Sequence, residues 1–119
     1  MSVMKDSSAV ASLEKKHGSW LIHGILCTDT VVSLTERGRQ VITEIKQRDN
    51  LQGTKSTICF DFAADTGIQD ASAVAMLLEW IRFTRHHELR ITFTHLPHKL
   101  KIMAELGGVG AMLQQHVIK

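Results

Sequence analysis

The sequence predicts one small α/β domain in which helices lie on one face of a mixed β-sheet. Two observations lead to this fold class. The chain has 119 residues, of which 44% are hydrophobic and 22% are charged, and this size and composition are typical of a single globular domain. Short apolar runs alternate with longer segments whose apolar residues recur at helical spacing, and no internal repeat or linker interrupts residues 10–113. The expected order is strand, strand, helix, strand, helix, strand, helix.

The first part of the chain is predicted to contain a lead-in and two strands. Residues 1–9 are polar and are expected to form a flexible lead-in, with a single domain over residues 10–119. A short strand is expected over residues 9–15, where apolar and polar side chains roughly alternate. Residues 20–27 are rich in aromatic and β-branched side chains and predict the second strand.

A long helix and a central strand are expected next. Residues 28–30 are cap-type residues, and the apolar positions after them fall on one helix face as far as about Arg48. Gly38 weakens this helix by about 1 kcal/mol relative to alanine. A polar loop over residues 49–56 leads to residues 57–62, whose nearly continuous apolar run predicts a central buried strand.

The second predicted helix begins at an aspartate. Residues 63–69 are predicted to form a loop, and Asp70 then opens an apolar helix that reaches about His87. Asp70 suits this position because its carboxylate faces free backbone N–H groups and the positive end of the helix dipole. Residues 89–96 alternate between apolar and polar side chains and predict another short strand.

A last helix is expected to begin with Pro97 in its first turn and to end at Gly107. Residues 109–119 are predicted to add a short helical turn that covers the core. The apolar face of the last helix is expected to consist of Leu100, Ile102, Met103 and Leu106.

Charge and cysteine content exclude several classes of protein. The net charge is +2 with basic residues scattered along the chain, so the sequence does not predict nucleic-acid binding. Cys27 and Cys59 are too few for a disulfide scaffold and are expected to be reduced and buried. Because no apolar stretch approaches the length of a membrane helix, the protein is predicted to be cytoplasmic and to meet a membrane only through a partner.

The common catalytic motifs are absent from the sequence. The glycines after the last predicted helix lack the lysine of a phosphate-binding loop, and Ser72 lacks the glycines of a nucleophile elbow. The two histidine pairs, at residues 86–87 and at residues 95 and 98, lack partners at zinc-site spacing. We therefore predict no enzyme activity, no catalytic residue, no metal and no cofactor.

Two groups of residues on the second helix allow two interpretations each. Asp70 and Ser72 either cap the helix or present a carboxylate and a hydroxyl to a partner or a phosphate. Met76, Trp80 and Phe83 lie largely beyond the main apolar stripe of the helix. They are either core residues at the edge of the helix or an exposed apolar patch for another protein.

The sequence resembles the STAS domain, a family named for sulfate transporters and anti-sigma factor antagonists. The resemblance covers roughly residues 10–113 and is most specific over residues 61–78. Asp61 matches the aspartate that ends the central strand of the family, Asp70 matches the aspartate that opens its signature loop and helix, and Gly24 matches the glycine that closes the second strand. The resemblance implies a STAS-like domain with about four to five strands and helices mainly on one face.

The sequence departs from the anti-sigma factor antagonists at two places. In those proteins a kinase phosphorylates the hydroxyl directly after the signature aspartate, and here that residue is Ala71. Ser72, one residue further, is the available substitute as phospho-acceptor. The Gly-Glu-Leu-Asp loop of the family is replaced by residues 24–27, Gly-Ile-Leu-Cys, which carry no carboxylate.

The resemblance implies a non-enzymatic protein that binds and regulates a partner. The first hypothesis is the stand-alone STAS subunit of an Mla-type phospholipid ABC transporter, which maintains outer-membrane lipid asymmetry. In that case an ABC transporter ATPase subunit contacts Asp70, Ala71, Ser72 and the edge formed by Met76, Trp80 and Phe83, at the inner membrane. The alternative is an anti-sigma factor antagonist whose partner is an anti-sigma factor kinase. A sensor that binds a small ligand or nucleotide is a third hypothesis, and a homodimer is left open.

Overall fold

The computed structural model describes residues 11–118. It contains seven strands and four helices. The predicted lead-in over residues 1–9 lies outside the described residues. The elements, in chain order, are β1 (Ser12–Lys16), β2 (Ser19–His23), β3 (Ile25–Leu26), α1 (Thr28–Gln52), β4 (Thr57–Phe62), β5 (Gly67–Ile68), α2 (Ser72–His86), β6 (Arg90–Thr94), α3 (His98–Leu106), α4 (Gly110–Gln114) and β7 (Val117–Ile118).

The main sheet has five strands in the order β1-β2-β4-β6-β7. β1 runs antiparallel to β2, whereas β2, β4, β6 and β7 all run parallel to one another. The sheet is therefore mixed, with β4 at its centre, as the apolar run of residues 57–62 predicts. Because the parallel strands all run the same way, their first residues share one end of the domain and their last residues share the other.

The main sheet is buried on one face, and this face packs against the helices. Along β4, Ile58, Phe60 and Phe62 are buried, and the alternate residues Cys59 and Asp61 are only half-buried. The same alternation in β6 buries its Ile and Phe side chains beside those of β4. One face of the sheet thus forms the core with the helices, and the predicted α/β fold with helices mainly on one face is confirmed.

The predicted strand over residues 20–27 is divided into two strands. β2 ends at His23, and Gly24 has a φ of +100°, a left-handed conformation that glycine adopts without steric cost. The chain then turns away from the main sheet, and β3 pairs with β5 in a separate two-stranded sheet. β5 lies inside residues 63–69, which the sequence predicts as a loop, because a two-residue strand leaves no period to detect.

The C-terminal part differs most from the prediction. Pro97 is the residue before α3 rather than part of its first turn. Ile102 and Leu106 are 42% and 83% exposed, so the predicted apolar face of this helix is correct only for Leu100 and Met103. The chain beyond α4 adds β7 to the edge of the sheet, where the Phe93 N–H donates to the His116 carbonyl at 2.7 Å. The prediction contains the turn of helix but not this strand.

Helices α1 and α2 are held together by a tryptophan. Trp80 of α2 is fully buried, stacks on Phe60 of β4 at a centroid distance of 4.4 Å, and donates from its indole N–H to the carbonyl of Thr35 in α1 at 3.0 Å. A Cβ atom at Gly38 would overlap the indole ring. Gly38, which lowers the helical propensity of α1, is therefore the residue that lets Trp80 pack against the helix backbone.

Candidate functional site

The signature aspartate fastens the beginnings of two helices. One oxygen of Asp70, Oδ1, accepts the backbone N–H of Ser72 at 2.9 Å and also accepts the Ser72 hydroxyl. The other oxygen, Oδ2, accepts the backbone N–H of Thr28 at 3.1 Å and its hydroxyl at 3.2 Å. Ser72 begins α2 and Thr28 begins α1, so a single carboxylate occupies the positive ends of both helices.

This arrangement keeps Asp70 charged. Hydrogen bonds from the Ser72 hydroxyl and backbone, and then from Thr28, lower the pKa of Asp70 from its usual value to about 2. The side chain is half-buried. Both interpretations of Asp70 thus remain compatible with its geometry: it caps a helix, and it also places a permanent negative charge beside the signature residues.

The residues that follow Asp70 differ in accessibility. Ala71 is exposed and precedes the first residue of α2. Ser72 is half-buried, and its hydroxyl is engaged with Asp70. A phosphate on Ser72 would replace that donated hydrogen bond with a dianion next to an anionic carboxylate. Phosphorylation there would therefore break the contact that joins α2 to Asp70.

The structure separates the three apolar residues of the predicted edge. Met76 and Trp80 are 2% and 0% exposed and belong to the core, so they are not available to a partner. Phe83 is half-buried, with the Arg39 guanidinium over its ring at 4.4 Å and the His87 ring at the same centroid distance. The expectation that Met76 and Trp80 form a contact surface is wrong because α2 packs against α1 as well as against the sheet.

The two remaining signature residues have structural positions. Asp61 lies near the end of β4, where its carboxylate accepts the Nδ1–H of His95 at 2.7 Å. Gly24 lies directly after β2 and permits the turn into β3. The carboxylate of Asp70 bonds to Thr28 and Ser72. Asp61 and Gly24 therefore shape the strand ends rather than the Asp70 site itself.

Sequence reasoning missed two residues of α1, Thr28, which bonds to Asp70, and Val32, one helical turn further along the helix. Thr28 is recognisable as a cap-type residue, but its bonds to Asp70 cross 42 positions of sequence and have no local signal. Val32 lies one helical turn after Thr28 and is 71% exposed. An apolar residue on a helix suggests the core, and only the rotation of α1 in the fold shows that Val32 faces solvent.

Within residues 11–118 no group of three His, Cys, Asp or Glu side chains is arranged to hold a metal ion. In the same range, no helix is both long and apolar enough to cross a bilayer. Cys27 and Cys59 are both free thiols and half-buried, so the prediction that they are buried is wrong.

The comparisons with known proteins identify the fold. No family model matches the sequence, and no curated protein matches it. Among solved structures, the chain is similar to the anti-sigma factor antagonist SpoIIAA in its unphosphorylated form, with a TM-score of 0.60 and 18% sequence identity. The match covers 91% of this chain and 85% of that chain. The chain has the STAS fold.

Proposed function

We propose that this protein is a non-enzymatic regulator that binds another protein through the Asp70 corner, which we define as Thr28, Val32, Asp70, Ala71 and Ser72. The observation that supports this proposal is the carboxylate of Asp70, which fixes the first residues of α1 and α2 side by side. Ala71, directly after Asp70, and Val32, one helical turn after Thr28, both have exposed side chains. A rigid corner with a fixed charge and small apolar contacts suits recognition of a protein better than chemistry on a substrate.

The partner class that we propose is an anti-sigma factor. SpoIIAA, which shares the fold, is an anti-sigma factor antagonist, and the solved structure is that of its unphosphorylated form. In this chain the only hydroxyl within residues 70–73 is that of Ser72, and a phosphate there would disrupt the Asp70 corner through charge repulsion. Ser72 is therefore our candidate phospho-acceptor, and an anti-sigma factor kinase is the candidate partner.

A second candidate is the ATPase subunit of an Mla-type phospholipid ABC transporter, which would bring the protein to the inner membrane. The observation that favours it is Ala71, since the usual phospho-acceptor position has no hydroxyl. Residues 24–27 likewise carry no carboxylate. A STAS subunit that docks permanently on an ATPase needs neither feature, whereas a switch that is reset by phosphorylation needs an acceptor.

Affinity capture with matched variants tests the proposed corner. We expect the tagged wild-type protein to recover one partner from lysate of its own host, and Ala71→Arg to lose that partner. Ala111→Arg is the control, since Ala111 is equally exposed but lies in α4. Both variants should keep the wild-type melting temperature. Equal recovery of the partner by wild type and Ala71→Arg would show that the corner is not the binding site.

The identity of the captured protein separates the two candidate functions. Recovery of an anti-sigma factor or a histidine-kinase-like ATPase supports the first candidate, and recovery of an ABC ATPase with unmodified Ser72 supports the second. Mass spectrometry of the same sample measures phosphate on Ser72. If Ser72→Ala cells retain normal signalling while the anti-sigma factor is bound, Ser72 is not the acceptor.

A further inference from the structure

The end of the domain opposite the Asp70 corner is strongly basic. The β1–β2 turn, the connection from α1 to β4 and the connection from α2 to β6 all lie at this end, because the strands β2, β4 and β6 are parallel and begin there. We name this surface the basic end, after the exposed lysine and arginine side chains that lie on it. Its residues are Lys15, Lys16, Arg48, Lys55, Arg85 and Arg90.

These side chains are neighbours in space as well as in topology. Lys15 and Arg48 line one surface depression together with Thr57, the first residue of β4. Arg85 and Arg90 line a second depression that also includes Thr57. The exposed carboxylates among these connections and depressions are those of Glu44 and Glu88. The basic end therefore carries six exposed cations, four of which line the depressions around Thr57, against two exposed carboxylates and the buried carboxylate of Asp49.

The opposite end has the reverse sign. Asp29, Asp61, Asp65 and Asp70 lie at or directly after the ends of the strands and at the beginnings of α1 and α2. Two exposed lysines, Lys99 and Lys101, lie in the first turn of α3, so carboxylates outnumber lysines there by four to two. The third carboxylate of the basic end, Asp49, is buried and bonded to Thr54 and Ser56. A net charge of only +2 for the whole chain thus conceals a separation of positive and negative charge along the molecule.

An exposed leucine lies among these cations. Leu51, in the last turn of α1, is 89% exposed. It follows Arg48 by three residues and precedes Lys55 by four. An apolar side chain among lysines and arginines suits the surface of an anionic bilayer. The headgroups there carry negative charge, and the apolar acyl chains lie directly beneath them. A single-stranded nucleic acid offers the charge but is bound by aromatic side chains on which its bases stack, and the aromatic residue that lines the first depression, Trp20, is half-buried.

We propose that the basic end binds the surface of a bilayer containing anionic phospholipid, with Leu51 entering the interface between headgroups and acyl chains. The sequence alone predicts membrane contact only through a partner, and this surface provides a direct contact. α1 spans the domain from Thr28 to Gln52, about 36 Å for its 25 residues. The Asp70 corner therefore stays accessible to a protein while the basic end lies on a membrane.

Vesicle sedimentation with the full chain tests this inference. Vesicles of phosphatidylcholine with one-third phosphatidylglycerol should bind the protein, and vesicles of phosphatidylcholine alone should not. Each lysine or arginine near an anionic bilayer contributes a factor of about five to the binding constant, so Arg48→Gln with Lys55→Gln should weaken binding about 25-fold. Raising the salt concentration should weaken it as well.

Matched variants separate this specific surface from general stickiness. Leu51→Ser should weaken vesicle binding about tenfold, whereas Leu106→Ser, at an equally exposed leucine in α3, should leave it unchanged. Lys99→Gln with Lys101→Gln is the charge control on α3. The proposal is wrong if both leucine variants bind equally, if neutral vesicles bind as well as anionic ones, or if duplex DNA is bound with a dependence on Arg48 and Lys55 but not on Leu51.

Discussion

The two ends of helix α1 are each fastened by one aspartate, in two different ways. At the C-terminal end, Asp49 accepts the backbone N–H of Ser56 at 2.7 Å and the hydroxyls of Thr54 and Ser56, both at 2.8 Å. At the N-terminal end, the carboxylate that receives the Thr28 N–H belongs to Asp70, which lies 42 residues away. The chemistry is the same, but one bond set is local and buried and the other joins distant segments near the surface.

The difference in burial between Asp49 and Asp70 suggests different roles, stability of the fold for Asp49 and recognition of a partner for Asp70. Asp49 is 3% exposed and closes the loop that leads into the central strand, so its contribution is to the fold. Asp70 is half-buried and leaves part of its charge accessible between two helix ends. We therefore expect loss of Asp49 to act on folding and loss of Asp70 to act chiefly on binding. Between these ends, the middle of α1 is held by packing against Trp80.

The largest effect is expected from Gly38→Ala. The added Cβ would overlap the Trp80 ring, which is fully buried and stacked on Phe60, so the ring has to move. Overpacking of this kind costs about 1–3 kcal/mol in the free energy of unfolding, even though alanine favours the helix. Urea denaturation measures it, with Gln40→Ala on the exposed face of α1 as control. A more stable Gly38→Ala protein would show that Trp80 does not determine the residue at this position.

Asp49→Ala should have the next largest effect on stability. Three donors, from Thr54 and Ser56, would lose their acceptor, the carboxylate of Asp49, a residue that is only 3% exposed. We expect the melting temperature to fall by roughly 5 °C, measured by circular dichroism. Asp49→Asn keeps an acceptor oxygen and should fall less. An unchanged melting temperature in Asp49→Ala would show that Asp49 does not stabilise the fold, and the proposed difference in role between Asp49 and Asp70 would be wrong.

Asp70→Ala should lower the melting temperature less than Asp49→Ala but weaken partner binding at least about tenfold. The reason is that water can replace part of the lost bonds at a half-buried site, whereas a partner that recognises the charge loses it entirely. Titration of the purified partner measures this affinity. A folded Asp70→Ala protein with wild-type affinity would leave Asp70 with a structural role only.

Acid unfolding provides a further distinction through the lowered pKa of Asp70. Because this pKa is about 2 in the folded protein and lies at its ordinary value when the chain unfolds, the stabilisation is complete above about pH 4. It is lost as the pH falls toward 2. The stability difference between wild type and Asp70→Asn should therefore shrink between these values, and a difference that is constant down to pH 2 would contradict the assignment.

The smallest effect is expected at His23, whose ring nitrogens contact Glu14 at 2.8 Å and Asp65 at 3.2 Å. Hydrogen bonding to Glu14 and then to Asp65 raises the pKa of His23 in the folded state. Its stabilisation is therefore complete below about pH 6.5 and is lost as the pH rises through the raised pKa. His23→Gln should remove this slope from the melting temperature between pH 6 and pH 8, and a retained slope would assign it to another group.

The sequence was a good guide wherever a residue's role depends on its near neighbours. Periodicity located α1, α2, β4 and β6, because buried faces repeat every two or about 3.6 residues. It failed at β5 and β7, whose two residues each show no period, and at α3, where Ile102 and Leu106 keep the helical spacing of a core face while facing solvent.

The candidate site was only partly predictable for the same physical reason. Asp70, Ala71 and Ser72 lie together in sequence and in space, so a local motif was enough to find them. The assignment of Met76 and Trp80 depended on whether α2 packs against the sheet alone or also against α1, and only the fold decides this. Thr28 is brought to Asp70 by hydrogen bonds that cross 42 positions of sequence, which sequence spacing does not encode.

Gly38 and Trp80 also constrain each other in evolution. A side chain at position 38 is tolerated only when the residue at position 80 is small enough to make room for it, and a small residue at position 80 leaves a cavity unless position 38 fills it. We therefore expect a single change at either position to be destabilising and a compensating pair of changes to be less so. Among related sequences these two positions should vary together, and their covariation would report the contact between α1 and α2 without any structure.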